Sequence, residues 1–113
     1  MEARMAERRR IWTVFSNHGM VLFYVAANPS ATLRVISDAL GITERQVARI
    51  VKDLAEAGMI AVERRGARNA YTVNPEAHLR HPTLAHVPLG PIMAALLSAS
   101  KPTDGTEEGR AAD

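Results

Sequence analysis

The chain has 113 residues, a net charge of +2, 47% hydrophobic residues and no cysteine. That length suits one domain with a modest core, and the missing thiols exclude a disulfide scaffold or a cysteine-based zinc site. An isoelectric point near 9.5 permits nucleic-acid binding without establishing it, so the distribution of charge has to decide.

Residues 3–16 predict a helix, because Ala, Met, Glu and Arg favour one and Trp12 and Phe15 at i, i+3 give it an apolar face. Arg8, Arg9 and Arg10 form a basic cluster there; it either touches phosphate or solubilises the start of the helix. The basic opening MEARMAERRR does not read as a signal peptide, since Glu2 and Glu7 are acidic and Ser16-Asn17-His18-Gly19 interrupts the apolar stretch. The run VLFYVAA is seven residues long, against the roughly 20 a spanning helix needs. A soluble, cytoplasmic protein with no membrane contact is expected.

Asn17 can end the first helix, cap the next, or both. A second helix over 18–27 carries Met20, Val21, Leu22, Tyr24 and Val25, and Asn28-Pro29 stops it. Thr32 is a plausible N-cap for a short helix over 33–40, with Leu33, Ile36 and Leu40 on one face and Gly41 closing it. Thr43 and Gln46 fit the capping box S/T-x-x-E/Q, so a further helix starts at Thr43 and runs to Ala57, before Gly58.

After Gly58 the period changes to two. Ile60 and Val62 alternate with polar or small neighbours, as do Tyr71 and Val73, and Arg64-Arg65-Gly66-Ala67-Arg68 lies between them. That pattern predicts a β-hairpin. Residues 75–88 read as irregular. A last helix is expected over 91–99, with Pro91 in its first turn, and the polar stretch from Ser100 onward reads as a disordered tail.

The fold class expected is mainly α with a small β-hairpin wing, a winged helix-turn-helix. The expected organisation is N-terminal helices over 1–30, the winged helix-turn-helix over 31–75, a loop and dimerisation helix over 76–99, and the tail over 100–113.

The helix over 43–57 sorts its side chains. At about 100° per residue, Val47, Ile50, Val51 and Leu54 share one arc, while Arg45, Arg49 and Lys52 lie within about 60° of one another on the far side. Arg suits bidentate contact with guanine and Lys suits phosphate. Arg45 is therefore assigned to base reading, Arg49 to base or phosphate, and Lys52 to phosphate. Gln46 can read adenine, but its capping role competes. Glu44 can accept from cytosine or simply favour the helix dipole. Thr43 completes the set at the helix start. Arg64, Arg65 and Arg68 crowd the wing tip, with only Glu63 to offset them, and can enter a minor groove or grip phosphate. Arg34 is a further candidate backbone contact. A solvated face explains the helix stripe alone; the wing tips the reading toward DNA.

The run LRVISDALGITERQVARIVKDLAEAGMIAVERRGARNAYTVNP resembles the MarR-type winged helix-turn-helix regulators over about residues 31–75. LGIT between the helices, LAEAGMI before the first wing strand and RRGARNAYTV across the wing carry the resemblance, and the adjoining WTVFSNHG and LRHP segments are similar to short bacterial regulators of this kind. The resemblance implies a homodimer that binds operator DNA through the second helix of the motif. It also raises a ligand-responsive switch, because MarR-like proteins often take small phenolic or metal effectors. The junction of Trp12, Phe15, His18, Phe23 and Tyr24 is the candidate pocket, and core packing explains those residues more simply.

Leu89, Ile92, Met93, Leu96 and Leu97 lie at i, i+3, i+4, i+7, i+8 with only small or apolar residues between. A helix apolar all round is buried, so with Trp12 these residues are expected to pack across a two-fold axis. The alternative is that the helix folds back over its own domain. His78, His81 and His86 have spacings that give weak support for a metal site; none is expected, and no cofactor. No catalytic arrangement is legible, so the chain is not expected to be an enzyme. The expected function is a sequence-specific regulator, a repressor, because no extra domain for contacting polymerase is visible. The alternative is a winged-helix module that binds protein instead of DNA.

Overall fold

The computed structural model describes residues 12–100. Among these residues the elements are four helices, α1 (Asn17–Ala27), α2 (Leu33–Leu40), α3 (Glu44–Glu56) and α4 (Leu89–Ser100), and one hairpin, β1 (Ile60–Arg65) and β2 (Arg68–Val73), with a 3-10 turn at Pro82–Leu84 before α4. This is a mainly helical winged helix-turn-helix.

Residues 3–11 of the expected N-terminal helix lie outside the described residues, and its remainder, Trp12 to Ser16, is not helical. Thr13 Oγ1 donates to the Phe15 carbonyl at 2.6 Å. Ser16, extended at φ −67° and ψ 172°, caps α1 by accepting from the Gly19 N–H. A serine hydroxyl satisfies orphan amides best just outside a helix. Cap chemistry thus takes Ser16 out of the helix that its neighbours' propensity suggests. Asn17 is consequently the first residue of α1 and not its cap, and Trp12 and Phe15 do not form a helix face. Asn28 ends α1, its side-chain amide donating to the Tyr24 carbonyl at 3.1 Å.

The next two helices follow their caps. Thr32 Oγ1 accepts from the Val35 N–H, and Gly41 closes α2 at φ 72°. At α3 the Thr43 hydroxyl accepts from the Gln46 N–H at 3.0 Å, while Gln46 Oε1 accepts from the Thr43 N–H at 2.9 Å. The hairpin is antiparallel, registered Ile60 to Val73 and Arg65 to Arg68. Its two-residue turn starts with Gly66 at φ 64°, as a type II′ connection requires. The Tyr71 N–H donates to the Pro29 carbonyl at 2.9 Å, which ties the wing to the α1–α2 turn.

The core lies where α1 meets the other elements. Val21, Val25, Ile36 and Val47 have no exposed surface, and Leu89 has 1%. The helix α4 begins two residues before the expected start. Its Leu89 and Gly90 amides donate to the Ala77 and Pro75 carbonyls, at 2.7 and 3.0 Å, so two of its orphan N–H groups are satisfied by the preceding loop. Gly90 permits this approach, since a Cβ there would lie 3.1 Å from Pro75 Cβ and 3.2 Å from its carbonyl oxygen.

Candidate nucleic-acid interface

Position along α3 decides which side chains are available. Val47, Ile50, Val51 and Leu54 are buried, which turns Arg45, Arg49 and Lys52 outward, and all three are exposed. Lys52 Nζ lies 3.9 Å from Glu56 Oε2. Neither Arg45 nor Arg49 has an acidic partner within 4.0 Å among the described residues, so both guanidiniums present undiminished charge. Thr43 and Glu44 are exposed at the helix start, while Gln46 is half-buried and committed to the capping box. Arg34 on α2 is exposed, 4.0 Å from Asp38.

The wing arginines are exposed as well, but each behaves differently. Arg64 Nε donates to the Gly66 carbonyl at 2.9 Å, which folds this side chain over the turn. Arg65 pairs with Glu63 at 3.1 Å. Arg68 has no acidic partner among the described residues. With Arg64, it lines a hollow of about 110 Å³ beside Thr32 and Leu33 at the start of α2. The single acid of the wing therefore offsets Arg65 and leaves the charge of Arg64 and Arg68.

The candidate dimer residues divide into two groups. Leu89 and Met93 are buried in the chain's own core; Ile92, Leu96 and Leu97 are half-buried. Trp12 is 82% exposed. An apolar hollow of about 440 Å³ runs between α4 and the segment before α1; Phe15, Leu22, Leu54 and Ile92 line it, with His18 and Arg80 at its polar edge. Of the aromatic junction expected to form a pocket, Phe15 and His18 are on this wall and Trp12, Phe23 and Tyr24 are not.

The histidines serve as local ties. His78 Nδ1 donates to the Ala85 carbonyl at 2.7 Å, and His81 Nδ1 accepts from the Thr83 N–H at 3.1 Å to cap the 3-10 turn. Among the described residues no group of three or more His, Asp or Glu side chains is placed to hold a metal. His18 reaches across from α1 to α3, where its Nε2 lies 2.8 Å from Asp53 Oδ2. Residues 18 and 53 are 35 positions apart, so no local pattern shows this pair.

The sequence model of the MarR family matches residues 16–68. Over those residues the winged helix is similar to the MarR type. The match runs from the cap of α1 to the first residue of β2, and so takes in the helix pair and half of the wing. The match points to the general class of DNA-binding transcriptional regulators. No curated protein and no solved structure gives a significant match. Among the described residues no helix is long and apolar enough to cross a membrane.

Proposed function

We propose that this MarR-type chain is a repressor that binds an inverted-repeat operator as a homodimer. In this reading α3 enters the major groove and the wing grips the flanking backbone. The observation that carries it is the pair of exposed guanidiniums, Arg45 and Arg49, unpaired among the described residues and standing opposite the buried Val47, Ile50, Val51 and Leu54. Arg45, in the first turn, reads a base edge; Arg49 reads a base or holds phosphate; Lys52 and Arg34 hold phosphate; Thr43, Glu44 and Gln46 set the approach of the helix end. Arg64, Arg65 and Arg68 supply the wing contacts. Exposed Trp12 and the outer side of α4, with Ile92, Leu96 and Leu97, support a two-fold interface, with Leu89 and Met93 bracing it from the core. Two recognition helices related in this way would sit about 34 Å apart, one turn of DNA. A repressor needs only to occupy its site, so no further surface is required of it.

Selection of bound fragments from a random duplex pool tests the whole reading. An enriched inverted repeat with half-sites about 10 base pairs apart is the expected result. Absence of any enrichment, with no retention of random duplex at low salt, would refute it and favour a protein-binding winged helix.

A further inference from the structure

The helix-turn-helix contains three cation–acid pairs at i, i+4 spacing, each with the cation first: Arg34 and Asp38, Arg49 and Asp53, Lys52 and Glu56. Side chains at this spacing are neighbours on a helix surface. Two of the pairs close, at 4.0 Å and 3.9 Å. The middle pair does not. Its acid, Asp53, is held from outside the helix by His18 Nε2 at 2.8 Å. An ionised carboxylate only accepts, so this nitrogen carries the proton. Glu56 and Arg80 line the hollow beside this contact, and Arg80 makes no ion pair with Asp53 within 4.0 Å.

We infer that His18 is a positioning residue for DNA binding: by holding Asp53 it keeps that carboxylate from closing onto Arg49. The guanidinium charge stays available to a phosphate or a guanine. This rests on the reading of α3 as the DNA-contacting helix. His18 touches no DNA in this role. It acts through Asp53 and decides whether the central cation of the stripe is neutralised. The half-exposed geometry of the pair, with 50% of each side chain accessible, limits the size of the effect. A freed i, i+4 pair would weaken binding about twofold per protomer, or about fourfold for a homodimer whose halves engage together.

The test compares the full chain with His18→Ala, Asp53→Asn and the double variant in titrations against the selected duplex at low salt. His18→Ala is expected to bind about fourfold more weakly, Asp53→Asn as tightly as the parent or more so, and the double variant like Asp53→Asn. A contact that merely held α3 in place would make all three variants weak, and that pattern overturns the inference, as does unchanged affinity in His18→Ala. Nuclear magnetic resonance of the DNA-free proteins reads the Arg49 side chain directly. Its Nε–H signal should shift in His18→Ala and return in the double variant, and absence of that shift also overturns the inference. If the shift occurs while the parent binds no duplex at all, the DNA reading fails and the Asp53 exchange stands.

Discussion

Replacing Arg49 by Ala removes a cation that the structure leaves unpaired among the described residues on the exposed side of α3. Alanine is the better helix former and the lost side chain is in water, so stability should change by less than about 0.5 kcal/mol. Binding should respond through counterion release. Each phosphate contact contributes about 0.9 to the slope of log affinity against log salt, so a homodimer losing two such contacts loses about 1.8. Between 50 and 200 mM salt, roughly a fourfold change, the parent should therefore lose about twelvefold more affinity than the variant. Fluorescence anisotropy titrations of a labelled duplex at several salt concentrations give both slopes, and urea denaturation checks the fold. An unchanged slope together with unchanged affinity, in a variant of unchanged stability, would remove Arg49 from the interface and refute the assignment of α3 to the groove.

Arg45→Ala should weaken binding by about 1–3 kcal/mol at the preferred site and also flatten the base preference at one position, as read by repeating the fragment selection with the variant. Thr43→Ala removes the acceptor for the Gln46 N–H. It should cost about 1 kcal/mol, seen as a melting temperature lower by about 4–8 °C at fixed protein concentration. Gly90→Ala drives a methyl group against Pro75, 3.1 Å from its Cβ, and should destabilise by about 1–3 kcal/mol in urea denaturation.

Much of the fold was legible because its signals are local. Thr32 with Gly41, and Thr43 with Gln46, mark α2 and the start of α3 through contacts no more than five residues long, and the hairpin follows from period two around Gly66. The outward stripe of Arg45, Arg49 and Lys52 was legible for the same reason, since helix periodicity alone sorts it from Val47, Ile50, Val51 and Leu54. The segment 12–16 was not, because helix propensity is a weak prior and a single serine cap overrides it. The start of α4 was missed because the carbonyls that accept its first amides belong to Pro75 and Ala77, which lie before the 3-10 turn. The different states of the wing arginines were also hidden, since Arg64 bends back to the Gly66 carbonyl while Arg65 takes Glu63.

By itself the sequence determined the helix pair, the capping box, the wing and the sorting of charge from core along α3, since each depends on residues within a turn or a hairpin of one another. Only the tertiary structure decided which charges are already neutralised. Whether Asp53 meets Arg49 four residues away or His18 on another helix depends on how α1 packs against α3, and that packing is settled by the non-directional burial of apolar side chains distributed over the whole chain.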